Sequence, residues 1–135
     1  MPQSDLRSTA TIRIAVFDME HEEIVRAINA LQEAVEAGKD RSETAPLLSK
    51  LAALTITHFQ SEEAMMAASK YPGLMLHALK HQRLLDQLAA FQSRHGRDSS
   101  PMNQHSLKFL RDWVTTHIQN DDLNFGLWQN EHGKR

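Results

Sequence analysis

Eight histidines and no cysteine stand in this chain, and five of the histidines fall with carboxylates at spacings that could hold metal. His58 precedes Glu62 by four residues, His77 precedes His81 by four, His117 is followed by Asp121 and Asp122, and His21 stands upstream. Imidazole is the commonest protein ligand for metal ions. Donors four residues apart lie about 40° apart around a helix axis, so each pair acts from one face. Singly most of these signals are weak, because exposed pairs at this spacing are common on helices and an isolated His21 is ordinarily a near-terminal residue, although His77 and His81 on one face make a ready metal clamp. Together they are strong. Five nitrogens and two carboxylates without sulfur suit two octahedral first-row ions bridged by the carboxylates. Zinc would take fewer ligands in a tetrahedron, and magnesium or calcium would take oxygen.

The elements that must position these groups are long helices. Five glycines and four prolines are the only strong punctuation. The segment Thr11 to Phe17 alternates briefly and reads as an extended arm. Helix A runs from Asp18, a good N-cap, to Gly38, with Ile24, Ile28 and Leu31 in phase. Helix B starts at Ser42 or Thr44, with Pro46 in its first turn, and reaches Lys70. Tyr71-Pro72-Gly73 is a turn, helix C ends near His95 at Gly96, and Ser100-Pro101 opens helix D, which ends near Trp128. The predicted architecture is all-α: an antiparallel up-down-up-down four-helix bundle in one domain, with an arm over 1–17, the bundle over 18–128 and a polar tail over 129–135.

On this layout the polar residues occupy positions that the pattern reserves for apolar ones. His58 and Glu62 continue the stripe Leu47, Leu51, Leu54. His77 and His81 follow Leu74 and precede Leu84 or Leu85 and Leu88, and His117 follows Leu107, Leu110 and Val114. His21 lies one turn before Ile24. Burying so many unpaired polar groups would exceed the roughly 5–15 kcal/mol that stabilises a domain, so a bound cation or a closed hydrogen-bond network must compensate. Helix arithmetic places Asp121 about 40° and Asp122 about 140° from His117, and either could be the acid of that helix. Met65, Met66 and Met75 read as core filler. Trp113 could wall a site beside His117, while His95, His105 and His132 read as solvated.

Composition bounds the remaining possibilities. The 135 residues suffice for one domain, and 41% hydrophobic with 24% charged residues is the balance of a globular chain rather than a disordered one. Fifteen Lys and Arg against 17 Asp and Glu leave a formal charge of −2, which offers no basic footprint for nucleic acid or an anionic membrane. Without cysteine, disulfides, thiolate catalysis and Cys-ligated clusters are excluded. No apolar run suggests a membrane span or a signal peptide, so the expected location is the cytoplasm.

The order and spacing of His21, His58-Phe59-x-x-Glu62, His77-x-x-x-His81 and His117-Ile118-x-x-x-Asp122 resemble the hemerythrin signature, specifically single-domain bacteriohemerythrins. Trp113 and Tyr71-Pro72 add to the likeness, which spans the chain from about Asp18 to Phe125. The resemblance implies a non-haem di-iron site (two iron ions with a bridging oxo or hydroxo group) that binds O2 reversibly. It implies His77, His81 and His117 on one iron, His21 and His58 on the other, and Glu62 with Asp122 bridging, the second iron being left one ligand short for O2. It favours Asp122 over Asp121, which requires a local deviation of helix D or an oblique side chain. It also implies an O2-pocket wall of Ile24, Phe59, Trp113, Val114 and Ile118. Two departures stand out. The arm lacks the tryptophan frequent in bacterial members, leaving Phe17 to take part of its space, and Val114 stands where a larger aliphatic is common.

The leading expectation is therefore O2 carriage, storage or delivery rather than catalysis, since no spare His, Glu or Lys stays in phase near the open position as a general acid or base. The alternatives are a di-iron redox enzyme (peroxidase-like, oxidase-like or nitric-oxide-handling) and an O2 or redox sensor module. Oxygen-activating relatives of the bundle use Glu-x-x-His motifs, whereas histidines outnumber carboxylates here. O2 is the expected ligand, and a redox or O2-accepting protein is the class of macromolecular partner left open.

Overall fold

The computed structural model describes residues 14–97 and 104–132, the side chains of 95–97 excepted. Helix α1 spans Ala15–Glu36, α2 Arg41–Ser69, α3 Leu74–Arg97, α4 Gln104–His117 and α5 Leu123–His132. Between α4 and α5 the residues Ile118–Asp122 form a π-helical segment, so the last two helices are one long element with a wide turn inside it. The result is the four-helix bundle that the sequence predicts.

The helix limits differ from the sequence reading at several ends. α1 begins at Ala15 rather than Asp18, and the Asp18 amide donates to the Ile14 carbonyl at 2.9 Å. Phe17 joins His21, Ile24, Ile28 and Leu31 on the buried stripe, and that apolar phase extends the helix backward into what the brief alternation marked as arm. The rest of the expected arm lies outside the described residues, as does the Ser100-Pro101 start of helix D. α3 passes through Gly96 to Arg97, since a single helical glycine costs only about 1 kcal/mol. The last helix continues beyond Trp128 into the expected tail, with His132 Nδ1–H donating to the Trp128 carbonyl at 2.9 Å.

The connections are short and specific. Gly38 takes a positive φ of 73° after α1. Lys70 closes α2 in the left-handed region at φ 59°, ψ 41°, its amide donating to Ala67 and the Tyr71 amide to Met66. Gly73 lies against the Tyr71 ring so closely that a Cβ there would come within 2.8 Å of it. That ring packs edge-on to Phe125 and Trp128, with centroids 4.9 and 5.2 Å away, which ties the α2–α3 turn to α5.

α1 packs on α2 and α4, and α2 on α3. Leu31, Leu48, Leu51, Leu84, Leu107 and Leu110 fill much of the interior. Leu48 and Met66 take the core positions on α2, with Leu47 and Met65 half-buried beside them, while Met75 is 87% exposed and fills nothing. Arg111 on α4 reaches across to α1, its guanidinium donating to Asn29 at 2.8 Å and to Gln32. Among the described residues no helix is long and apolar enough to cross a membrane.

Candidate metal centre

All seven predicted residues converge in the middle of the bundle. His21 comes from α1, His58 and Glu62 from α2, His77 and His81 from α3, His117 from the end of α4 and Asp122 from the π segment. Each is at most 4% exposed, and Glu62 is wholly buried. Their donor atoms form two groups, each compact enough to surround one cation. One comprises His77, His81 and His117, the other His21 and His58, and Glu62 and Asp122 belong to both.

The π segment explains how Asp122 arrives there. In an α-helix, five residues after His117 would point about 140° away. The Leu123 amide instead bonds back five residues to the Ile118 carbonyl, and this widened turn returns the fifth residue to the face of the first. Asp122 Oδ1 thus sits 2.9 Å from His117 Nε2 and 2.8 Å from His77 Nε2, with Oδ2 3.1 Å from His21 Nε2. Asp121, the alternative from simple helix arithmetic, stays outside the cluster. Its Oδ2 accepts from His117 Nδ1–H at 3.0 Å.

Asp121 is one of three outer carboxylates. Glu20 accepts from His58 Nδ1–H at 2.7 Å and Glu63 from His81 Nδ1–H at 2.7 Å. Tying the outer N–H to an acid fixes the tautomer, turns the Nε2 lone pair inward and strengthens it as a donor. Glu20 and Glu63 escaped the sequence reading because they interrupt no apolar stripe; the one signal was an acid beside a candidate ligand. Aromatic rings hold the imidazoles further. Phe59 stacks on His81 at 3.6 Å, Trp113 stacks on His117 at 4.4 Å, and Phe17 meets His58 edge-on at 5.5 Å.

The inner atoms fit a cation better than they fit one another. His81 Nε2 and His117 Nε2 face each other at 2.9 Å, although both rings already give their Nδ1–H outward. Two inward lone pairs at that distance repel unless a positive charge lies between them. His58 Nε2 and Glu62 Oε2, 3.6 Å apart, are buried without a hydrogen-bond partner, a costly arrangement unless a metal takes both. Burial is unfavourable to the carboxylates. Desolvation pushes Asp122 upward, yet the imidazoles of His117, His21 and His77 beside it hold it well below the usual carboxylate range. Burial likewise depresses His77, but Asp122 and Glu62 on its N–H override this and raise it to about 9. A centre that pulls a proton so firmly onto a buried imidazole is one that attracts positive charge.

Beside the cluster lies a small cavity of about 10 Å³, room for roughly one water-sized molecule. It brings together all five predicted wall residues, Ile24, Phe59, Trp113, Val114 and Ile118, and adds Thr55 and Leu84. Thr55 donates its hydroxyl to the Leu51 carbonyl at 2.8 Å, which satisfies the polar atom within its own helix. His21, His58, His117 and Asp122 form the other wall. Among the predicted solvated histidines, His105 and His132 are exposed, and the His95 side chain lies outside the described residues.

A four-helix bundle with imidazoles and two shared carboxylates gathered at its centre has the layout of a helical cation-binding domain. The hemerythrin HHE cation-binding domain model matches residues 13–126. The bacteriohemerythrin of Methylococcus capsulatus is 30% identical over 109 residues, covering 81% of this chain and 82% of that protein. The myohemerythrin of Sipunculus nudus is 29% identical over 110 residues, covering 82% and 80%. A wild-type hemerythrin crystal structure superposes with a TM-score of 0.85 at 26% identity, covering 93% of this chain and 96% of that one. This chain belongs to the hemerythrin family.

Proposed function

We propose that this chain binds O2 reversibly, for carriage, storage or delivery, at a centre of two iron ions bridged by Glu62, Asp122 and an oxo or hydroxo group. His77, His81 and His117 hold one ion, and His21 and His58 the other. The observation that carries this reading is the position of the cavity. Both imidazoles of the two-histidine group line it, whereas the richer group contributes His117 but neither His77 nor His81. The apolar space adjoins the side with fewer protein ligands, where a diatomic molecule would be needed to complete the shell.

Two ferrous ions held there would supply the electrons for reversible O2 binding. The chain's own residues do the rest. Glu20, Glu63 and Asp121 orient the imidazoles, while Ile24, Phe59, Leu84, Val114 and Ile118 exclude water. Among the described residues, the cavity wall holds no titratable side chain beyond the candidate ligands. A bound oxygen molecule therefore meets no protein acid to drive cleavage of its O–O bond, which favours a carrier over an enzyme.

The test is metal analysis followed by repeated cycling of the ferrous-loaded protein between O2 and argon. Two irons per chain and an ultraviolet–visible spectrum that appears and reverses over several cycles support the reading. Rapid consumption of a reductant or of peroxide would replace it with the enzyme reading. A chain that takes up no iron would end both.

A further inference from the structure

The three outer carboxylates are not equivalent. Glu20 and Glu63 accept short 2.7 Å bonds from His58 and His81, and among the described residues neither has a lysine or arginine within ion-pair distance. Asp121 is gripped from both sides. Its Oδ1 accepts from Lys80 Nζ at 2.8 Å while its Oδ2 accepts from His117 Nδ1–H at 3.0 Å, the longest of the three imidazole contacts. Lys80 sits on α3 between His77 and His81, so its ammonium also fastens that helix to the π segment.

We propose that Lys80 is a positioning residue for the metal centre, acting through Asp121. By sharing that carboxylate it weakens the bond accepted from His117 and keeps the three-histidine half poorer in electrons than an unshared acid would. The inference rests on the di-iron reading above. A carboxylate on the outer N–H of a ligating imidazole strengthens its donation to the metal, and an ammonium on the other oxygen withdraws part of that effect. Asp121 is only 25% exposed, so water screens the pair incompletely. Weaker donation disfavours the ferric state, so Lys80 slows loss of the ferrous, O2-binding form. The residue is suited to adjustment because it is 38% exposed. It lines an open cleft with Tyr71, Leu76, His77 and Asn124, where its charge can be changed without disturbing the packed interior.

The test compares Lys80→Met, which keeps the stem, with Asp121→Asn and with the double variant. In the zinc(II)-loaded chain, proton NMR reads the His117 Nδ1–H resonance directly. In the iron-loaded chain, the midpoint potential and the autoxidation rate are read alongside. Lys80→Met is expected to move the resonance downfield, lower the potential and speed autoxidation severalfold. Asp121→Asn should shift the resonance the other way, and the double variant should match Asp121→Asn alone. Lys80→Arg, which keeps the cation, should hold the wild-type resonance. An unmoved resonance in Lys80→Met would overturn the proposal, and so would an equal Lys80 effect in the Asp121→Asn background, because the lysine would then not act through Asp121. The zinc measurement involves neither O2 nor iron, so it decides this point even if reversible oxygenation fails.

Discussion

At the scale of single residues, the centre gathers buried polar groups that need a compensating charge or hydrogen-bond partner. His77 touches both shared carboxylates, with Nε2 2.8 Å from Glu62 Oε1 and 2.8 Å from Asp122 Oδ1. On the proposed di-iron reading, His77→Ala removes a metal donor and leaves two buried acids without that partner. It is expected to empty at least one metal position and lower Tm on the order of 10 °C, because metal-binding energy is folding energy here. Metal analysis with thermal melts checks this, and unchanged values of both would count against the assignment. Val114 belongs to the cavity wall. Val114→Leu adds one methylene to a space of about 10 Å³, so both O2 association and autoxidation should slow severalfold. Stopped-flow mixing and the lifetime of the oxygenated form measure the two rates, and an unchanged lifetime would remove Val114 from any gating role. Six of the seven central residues were legible in the sequence because each falls in an apolar stripe, whereas Asp122 was favoured over Asp121 by the family resemblance alone. Glu20 and Glu63 were not legible, because an acid on a half-exposed face breaks nothing.

Helices and their joints impose a different kind of constraint. The π segment was foreshadowed only by conflict, since the family spacing and α-helical arithmetic chose different aspartates. Resolving it required the backbone, because propensity does not mark where one extra residue will be absorbed. The start of α1 and the end of α5 were misplaced for a related reason, since burial of Phe17 and the packing of His132 on Trp128 override local signals, while α3 simply runs through Gly96. The turn between α2 and α3 offers two sharp tests. Lys70 holds a left-handed conformation that costs an L-residue about 1–2 kcal/mol. Lys70→Gly should therefore stabilise the chain by about 0.5–1 kcal/mol after the entropy that glycine loses, raising the urea midpoint with an unchanged slope. Gly73→Ala should do the reverse. Its Cβ would meet Tyr71 Cε2 at 2.8 Å, and Phe125 and Trp128 confine that ring, so overpacking of about 1–3 kcal/mol is expected. A Gly73→Ala midpoint equal to wild type would mean that the ring swings free.

For the molecule as a whole, stability and occupancy of the centre are one equilibrium, and pH exposes it. In the chelated protein, burial disfavours the charged His77 ring, but its bonds to Asp122 and Glu62 raise its pKa from 6.5 to about 9. A folded-state pKa above the unfolded value gives stability that is complete below about 6.5 and is lost as pH climbs through the folded value. Asp122 acts in the opposite direction. Burial raises it, the surrounding imidazoles of His117, His21 and His77 lower it further than burial lifts it, and its contribution disappears as pH falls below the ordinary carboxylate range. The chelated chain should thus melt progressively lower between about pH 6.5 and 9, because the proton that neutralises the acids is being withdrawn. On the proposed reading a bound metal would take over that role and hold His77 neutral, so Tm should not fall across the same window. Melting curves of chelated and iron-loaded protein at matched ionic strength make the comparison. Parallel pH profiles for the two forms would show that the acids at the bundle's centre are balanced by something other than the metal.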